Sequence, residues 1–436
     1  MFKKRKFNLD LQGGQSLAEI LVVIGVGAIL IGGAAGIMAP ILKSNSETKN
    51  IQTATSLAQN YLDNLKNFSE SNWLNIYNLS KGSGNKYMLV ASSTQNLIVK
   101  GEEGVLDGDI VSGLVGNWKF DEFDGLTVYD FSGNQNNGLL ISNPTRKTSS
   151  DCKVGGCLEF NGSNRADIDK TSTLSFTNSF SVSAWVKPTD CVHGSSGHNT
   201  VIAQEEGLIL AFNNNCEVAN YVNVNNIWVG PDGISQKVPV GEWSYLAMVW
   251  NGSNLYSYFN GKFISGSGTS AAGSWTNSVY DYYVGARPLC CDQTFNGLID
   301  DIRIYNRVLS ASEINQLYRG RNFVRSFFVE NVNRNLCGAG NVTTDAATSC
   351  ISGPGTSGVI DDPSTQKITA SVSWAQGGLL SRVEYFTRNR NNIFSQIDWT
   401  GGLGQDGPIT SENDKFSSST RIDYSTTTGS IRIQGL

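Results

Sequence analysis

Histidine and charged residues are scarce in this sequence. Among its 436 residues there are two histidines, His193 and His198, and only 16% of the residues are charged, with a formal net charge of −5 at pH 7. Both histidines lie in a Gly- and Ser-rich stretch without a nucleophile beside them, which argues against histidine-based nucleophilic catalysis. The acidic balance argues against a nucleic-acid partner, because phosphate binding needs clustered lysine and arginine.

Cysteine and glycine are present in quantity, with 8 Cys and 47 Gly. An even number of cysteines in an exported chain indicates disulfides. We expect two local bridges, Cys152–Cys157 and Cys337–Cys350. A zinc site that combines other cysteines with the two histidines is an alternative, although no pair has the usual knuckle spacing. The four other cysteines leave three pairings open: Cys191, Cys216, Cys290 and Cys291.

The N-terminal region combines a basic leader with a long apolar run. Residues 3–6 are all Lys or Arg, and the 23 residues from Ile20 to Leu42 carry no charge. At about 1.5 Å per residue this run can cross a hydrocarbon core of roughly 30 Å. The cations favour a cytoplasmic leader and an external C-terminal bulk. The pattern predicts a transmembrane helix with one acid, Glu19, at its entrance.

The order of Gly13, Gly14 and the apolar run resembles the prepilin signal of type IV pilins and pseudopilins. Cleavage after Gly14 would make Gln15 the first residue and Glu19 the fifth, where this family carries a glutamate. The resemblance implies that a prepilin peptidase cuts between Gly14 and Gln15. It also implies that Glu19 pairs with the amino terminus of a neighbouring subunit during assembly. A plain membrane anchor is the alternative, but it does not need a carboxylate at its entrance.

The same resemblance implies the partners and the location of the chain. Identical or related pilin subunits would form a homo-oligomeric filament with the help of the inner-membrane assembly machinery. The chain would lie in the cytoplasmic membrane before assembly and then in an extracellular filament at the cell surface.

The chain beyond the apolar run has a segmented organisation. Apolar residues recur at three- and four-residue steps from Ile51 to Phe68, so the helix continues. Near the other end, Ile368, Ala370 and Val372 alternate with polar residues, which predicts a strand with one buried face. The predicted fold class is α+β multidomain, a long helix with an antiparallel-sheet pilin head plus an inserted all-β sandwich. The segments are a leader peptide at 1–14, the helix at 15–67, the head at 68–112 and 321–436, and the insert at 113–320.

Residues 113–320 have short alternating stretches between Gly- and Asn-rich turns, which is typical of a β-sandwich. Asn260-Gly261 predicts a two-residue hairpin, and Ser310 with Glu313 forms a capping box that predicts a short helix. Three further stretches are VGNWKFDEFDGLTVYDFSGNQNNG, FSVSAWVKP and FNGLIDDIRIYNRVLSASEINQLY. They resemble the laminin-G-like, concanavalin A-like jelly-roll domain, and this resemblance implies a lectin-like sandwich.

The jelly-roll resemblance also implies one structural Ca²⁺. Asp130, Asn134 and Asn137 occupy one matching stretch, and Asp300 occupies the other. Asp300 shares the phase of Ile302, so we expect it to point toward the core, where a carboxylate needs a cation or several donors. In the alternative, Asp300 caps backbone amides of the Asp130 loop without a metal.

Aromatic residues are the best candidates for ligand binding. Trp228, together with Tyr221 and either Tyr282 or Tyr283, can form a platform against which a sugar ring stacks. The loop at 190–200 is a second candidate surface. We do not predict an enzyme, because the sequence shows no acid pair of the kind that a glycosidase needs.

The sequence therefore predicts a structural subunit of a type IV pilus-like filament, whose jelly roll is an adhesin for an extracellular glycan or protein ligand. A pseudopilin that does not polymerise, or a membrane-anchored surface lectin, is the main alternative. A surface glycosidase is the third hypothesis.

Overall fold

The computed structural model describes residues 17–71, 73–90, 96–148, 150–176, 178–192, 197–231, 233–275, 278–289, 293–320, 322–335, 342–343, 359–388, 422–423 and 432–433. Its helices are α1 (Leu17–Ser71), α2 (Leu74–Tyr77) and α3 (Ala311–Arg319), and Ala375–Gly377 forms a 3₁₀ turn. The chain divides into two compact units, of which the first ends at Thr53 and the second begins at Ala54.

The strands fall into three groups along the chain. The first group is β1 (Tyr87–Val90), β2 (Leu97–Lys100) and β3 (Glu103–Leu106). The second is β4 (Leu114–Trp118), β5 (Thr127–Val128), β6 (Gly138–Ile141), β7 (Thr145–Lys147), β8 (Cys157–Asn161), β9 (Arg165–Ile168), β10 (Phe180–Pro188), β11 (His198–Gln204), β12 (Leu208–Asn213), β13 (Tyr221–Val224), β14 (Ile227–Val229), β15 (Ser244–Trp250), β16 (Asn254–Phe259), β17 (Lys262–Phe263), β18 (Thr269–Ser270), β19 (Tyr282–Val284), β20 (Ala286–Arg287), β21 (Gln293–Thr294) and β22 (Asn296–Tyr305). The third is β23 (Asn322–Asn335), β24 (Val342–Thr343), β25 (Val359–Trp374), β26 (Gly378–Thr387), β27 (Ile422–Asp423) and β28 (Arg432–Ile433).

The second group folds into a sandwich of two antiparallel sheets. A nine-stranded sheet has the order β17-β16-β15-β10-β22-β8-β7, with β18 and β4 paired to its sides, and an eight-stranded sheet has the order β14-β13-β12-β11-β19-β9-β6-β5. Alternate residues of the strands fill the space between the sheets, including Val182, Leu246 and Ile302 from one and Leu210, Val222 and Val284 from the other. The predicted all-β jelly-roll domain is confirmed.

The two ends of the sandwich lie side by side. Strand β4 at its start pairs with β22 at its end, and the backbone N–H of Asn306 donates to the carbonyl of Gly113 at 2.9 Å. The flanking strands β3 and β23 also pair with each other, in a separate seven-stranded sheet with the order β2-β1-β23-β25-β26. The chain thus leaves that sheet and returns to it at neighbouring positions.

The second half of α1 packs on the seven-stranded sheet. Tyr61, Leu62 and Leu65 are buried against residues such as Phe327 and Ile368. These helix positions follow the three- and four-residue spacing of the sequence, which places them on one face of the helix. The hydroxyl of Tyr61 accepts the backbone N–H of Leu89 at 3.1 Å, so the buried polar atom is satisfied.

The outer faces of the sandwich differ. The outer face of the nine-stranded sheet is covered by α3, whose Ile314 and Leu317 are buried there beside Trp185. Helix α3 starts at the predicted capping box of Ser310 and Glu313. Within the described residues no helix packs on the outer face of the eight-stranded sheet, where Ala203, Ile209 and Ala211 form a small cluster. That face is therefore the place to look for a site.

The N-terminal predictions have a different outcome. No helix in the described part of the chain is long and apolar enough to cross a membrane, and the predicted transmembrane helix is not supported. Glu19 lies in the first turns of α1, whereas Gly14 and Gln15 lie outside the described residues.

Candidate functional site

A row of residues crosses the outer face of the eight-stranded sheet. Tyr221 is directly opposite Ile209, which is opposite Ala203, and the row continues through Tyr283 to Asp167. Directly opposite residues of antiparallel strands share a face, with Cβ atoms about 4.5–5.5 Å apart. The two tyrosines therefore stand on one surface, separated by small and aliphatic side chains. We call this surface the open face.

At one end of the open face, an arginine holds a tryptophan. The guanidinium of Arg287 lies 4.9 Å from the ring centroid of Trp228. The Nε and Nη2 of Arg287 donate to the two carboxylate oxygens of Glu205 at 2.7 and 2.5 Å. This bidentate geometry fixes the guanidinium plane, and the plane in turn fixes the indole that it faces.

Next to this pair, a histidine connects the strands. The Nε2 of His198 and the hydroxyl of Tyr221 are 3.1 Å apart, and the two rings meet edge to face. The other ring nitrogen is 3.4 Å from the Gln293 amide nitrogen. Gln293 is the direct strand partner of Arg287, so the polar network and the Trp228 clamp belong to one surface.

The other end of the open face carries further charges. Arg165 donates to Asp167 at 2.6 and 3.0 Å, beside Tyr283. Burial, with the nearby charges of Asp281 and Asp167, raises the pKa of Tyr283, so its hydroxyl stays protonated at neutral pH and remains a hydrogen-bond donor. Chemically, the open face offers aromatic rings for stacking between groups that donate and accept hydrogen bonds.

The structure places two of the three predicted ligand-binding residues on the open face and corrects the third. Trp228 and Tyr221 are half-buried there. Tyr282 is fully buried between the sheets, and its hydroxyl donates to the carbonyl of Leu174 at 2.9 Å. Successive residues of a strand point to opposite faces, so Tyr283, which is 9% exposed, points to the open face.

Sequence reasoning missed Arg287, Gln293 and Glu205. Arg287 and Glu205 are 82 residues apart in the chain, and Glu205 follows the last residue of β11 in a turn. Glu206 lies in the same turn and has a positive φ of 57°. The side chains of Glu205 and Glu206 therefore do not point to opposite faces, as those of successive strand residues would. No local spacing in the sequence indicates this pairing. The available signal was an arginine, Arg287, between short apolar strand segments, where a charged side chain needs a partner.

Of the predicted calcium ligands, Asp130, Asn134 and Asn137 lie in one loop, and Asp300 makes its hydrogen bonds elsewhere. The carboxylate of Asp130 accepts four hydrogen bonds, from the backbone N–H groups of Asn117, Ser132 and Asn136 and from the Ser132 hydroxyl. The side-chain oxygen of Asn137 accepts the N–H of Asp130. These atoms are already satisfied, so the loop does not fit a metal that would need them.

Asp300 lies in strand β22 and binds a different loop, at residues 153–154. Its Oδ2 accepts the backbone N–H groups of Lys153 and Val154 at 3.0 and 2.9 Å. Asp301 has a φ of 47°, and the register of β22 against β10 shifts at this point. This bulge corrects the predicted phase, because Asp300 leaves the face of Ile302 and lies opposite Trp185 on the outer side of the sheet. The described residues contain no cluster of three His, Cys, Asp or Glu that could hold a metal.

Two disulfides are present among the described cysteines, Cys152–Cys157 and Cys191–Cys216. The second removes Cys191 from the zinc site considered as an alternative, because a disulfide sulfur is not a thiolate ligand. Cys337 and Cys350, predicted as a pair, lie outside the described residues, as do Cys290, Cys291 and His193.

Two antiparallel sheets, one covered by a helix and one without a helix on its outer face within the described residues, form a jelly-roll sandwich. Residues 160–315 match the family model of the concanavalin A-like lectin/glucanases superfamily, the laminin-G-like domain. The predicted jelly-roll family is thereby confirmed for this part of the chain. No curated protein matches the chain.

Several solved structures are similar to part of this chain. Domain 4 of AbnA, an extracellular GH43 arabinanase from Geobacillus stearothermophilus, solved with arabinotriose, is 24% identical over 48% of this chain and 99% of that one, with a TM-score of 0.39. A Trypanosoma rangeli sialidase mutant is 19% identical over 47% of this chain and 32% of its own, with a TM-score of 0.38. The binding domain of Paraclostridial Mosquitocidal Protein 1 is 12% identical over 60% of this chain and 75% of its own, with a TM-score of 0.37. No conclusion about ligand or activity follows from these similarities.

The prediction that the chain is not an enzyme is wrong. The matching family is described by its glucanases as well as its lectins, which points towards a possible glycosidase. Glycosidase chemistry is therefore within the range of this fold.

Proposed function

We propose that the jelly roll binds carbohydrate on its open face, with the indole of Trp228 as the main stacking surface. The observation that carries the proposal is the clamp of Trp228 by Arg287, itself held by Glu205. A ring that is fixed before binding loses little conformational entropy when a sugar stacks on it. Tyr221, Tyr283 and His198 surround the same surface with groups that can hydrogen-bond sugar hydroxyls.

Binding of the full chain, kept in detergent micelles, to an array of neutral and charged oligosaccharides tests this proposal. We expect Trp228→Ala to weaken the best ligand at least about tenfold, or ~1.4 kcal/mol. Ile227→Ala is the matched control, because Ile227 is the preceding residue of the same strand and is exposed. Equal affinity of the two variants would rule out the stacking role of Trp228.

The same preparation also tests for hydrolysis. Glu205 and Asp167 both lie near Tyr283 on the open face. Glycoside hydrolysis needs two carboxyl groups about 5–9.5 Å apart across the scissile bond. Release of new reducing ends from the bound glycan, lost in Asp167→Asn while glycan binding is retained, would extend the proposal from binding to cleavage.

For the whole chain, we infer a subunit of a type IV pilus-like surface filament that presents the jelly roll as an adhesin. This part rests on the sequence pattern of Gly14, Gln15 and Glu19, and the family model matches residues within the jelly roll alone. Its partners would be other pilin subunits, the prepilin peptidase and the assembly machinery.

Glu19→Ala tests the filament role in the native cells. We expect the variant chain to be cut after Gly14 and yet to disappear from the filaments sheared off the cell surface, because the assembly contact is lost. If wild-type chain is never found in sheared filaments and stays in the membrane fraction, a pseudopilin or an anchored lectin replaces this interpretation.

A further inference from the structure

A second groove lies on the sandwich, away from the open face. It has a volume of about 630 Å³ and is formed where the β16–β17 hairpin meets the last turn of α3. Its lining includes Gln236, Asn260, Lys262, Phe263, Tyr318 and Arg319. Nothing in the family match assigns a role to these residues.

The groove is held together by a close contact between the hairpin and the helix. Asn260 and Gly261 have positive φ values of 47° and 75° in the hairpin turn. A Cβ at Gly261 would lie 2.9 Å from the ring of Tyr318, so only glycine allows the two elements to approach this closely. Tyr318 in turn stacks on Trp185 at 5.5 Å. The walls of the groove are therefore fixed by packing.

Phe263 is an exposed aromatic ring with a fixed orientation. It is 48% exposed, and its ring meets Tyr256 and Tyr258 edge to face, with centroids 6.0 and 5.7 Å away. Two such contacts restrict the rotation of the ring. Half of a large apolar side chain is thus presented to solvent in a constant position, as a stacking surface requires.

The groove is locally basic in an acidic chain. Its lining contains Lys262 and Arg319 and no carboxylate. Neither cation has a carboxylate within ion-pair distance in the part of the chain that the structure describes. The helix dipole accounts for Arg319, which lies in the last turn of α3, but it does not account for Lys262 in the hairpin. Because the net charge of the chain is −5, its overall field repels anionic polymers, so they have little general attraction to the rest of the surface.

We propose that this groove binds an acidic sugar unit of an anionic glycan. The sugar ring stacks on Phe263, its carboxylate or sulfate pairs with Lys262 and Arg319, and Asn260 and Gln236 are placed to hydrogen-bond its hydroxyls. The site shares no residue with the open face: apart from residues 235–236, it is built from the β16–β17 hairpin with the residues that follow it and from α3.

Binding of the full chain to polygalacturonate, dextran sulfate and neutral dextran tests the proposal at low and at moderate salt. We expect binding to at least one acidic polymer, not to dextran, and a loss of at least tenfold in the double variant Lys262→Glu/Arg319→Glu. The preference between the two acidic polymers identifies the carboxylate or the sulfate as the recognised group. Phe263→Ala should also weaken binding severalfold although it removes no charge.

Arg382→Glu is the control for the single variants Lys262→Glu and Arg319→Glu, because it makes the same change of charge at an exposed position on β26 of the seven-stranded sheet. An equal loss in this variant, or displacement of the polymer by polyglutamate at the same concentration, would show general attraction of anions and overturn the proposal. Trp228→Ala should leave this binding unchanged. A melting temperature close to that of the wild type shows that the groove variants are folded, so the two proposals fail separately.

Discussion

The guanidinium of Arg287 lies between the indole of Trp228, at 4.9 Å from the ring centroid, and the carboxylate of Glu205, at 2.7 Å from its Nε. Arg287 is only 7% exposed, and no single segment contains the three residues. The carboxylate therefore acts on the ligand surface indirectly, by orienting the arginine that orients the ring. Each residue of this relay can be changed separately.

Glu205→Gln should both destabilise the domain and weaken glycan binding. The substitution keeps the size of the side chain but leaves the charge of Arg287 buried without its partner, which costs about 3 kcal/mol. Denaturant unfolding measures the stability, and tryptophan fluorescence reports the looser indole. Asp167→Asn is the control, since the Arg165–Asp167 pair is more exposed, at 30% and 24%, and should cost under about 1 kcal/mol. Similar losses in both variants would contradict the relay.

The neighbouring tyrosines of β19 should separate stability from binding. Tyr282→Phe leaves the Leu174 carbonyl without its buried donor and should lower the free energy of unfolding by about 1 kcal/mol. Its effect on glycan affinity should be small. Tyr283→Phe should show the opposite pattern, because its hydroxyl lies on the open face. If Tyr282→Phe weakened binding more than Tyr283→Phe, the assignment of the two faces would be wrong.

The two disulfides should contribute unequally to stability. Cys191–Cys216 spans 25 residues and closes the β11–β12 hairpin, whereas Cys152–Cys157 spans 5. In the chain-entropy model, replacing the first pair by alanine should cost about 3 kcal/mol and replacing the second about 2 kcal/mol. Unfolding in denaturant without reductant measures both values. A larger loss from the short bridge would show that loop entropy is not the main contribution.

Asp300 should make the protein less stable as the pH rises. Burial, and then the charges of Asp121 and Asp301, raise its pKa well above the usual value. Between the unfolded pKa of about 3.9 and the higher folded pKa, the folded state holds a proton that the unfolded state has lost, so stability falls with rising pH in this window. Above the folded pKa this contribution levels off.

Asp300→Asn tests this pH dependence through melting temperatures measured from pH 4 to pH 8. The variant cannot ionise, so its melting temperature should gain on that of the wild type as the pH increases. Asp124→Asn should run parallel to the wild type, because the Asp124 side chain is 65% exposed. A constant difference between Asp300→Asn and the wild type would show that Asp300 binds the same number of protons in the folded and unfolded states, and would contradict the raised pKa.

Local features of the sequence were good predictors where the physical cause is local. Asn260 and Gly261 have the positive φ values that their hairpin requires, and Tyr258 pairs with Phe263 as predicted. Ser310 and Glu313 form both hydrogen bonds of the capping box. Turn and cap conformations depend on a few adjacent residues, so no distant contact was needed to predict them.

Predictions that depended on strand phase were less secure. The positive φ of Asp301 inserts a bulge that moves Asp300 away from the face of Ile302 and from the Asp130 loop, and this separated the expected calcium ligands. In β19, the alternation rule was correct, but which of Tyr282 and Tyr283 faced the core depended on the pairing with β11 and β9. A shift of one residue exchanges the two faces of a strand.

The sequence by itself determined the all-β sandwich, its turns and its capped helix, because alternation, glycine turns and capping residues act over short distances. It also determined that Trp228 and Tyr221 were candidates for binding. Only the tertiary structure decided which sheet stayed uncovered, because that depends on where α3 packs. The clamp of Glu205 and Arg287 on Trp228 likewise arises only when β11, β14 and β20 are brought together, since side chains far apart in the chain meet through folding alone.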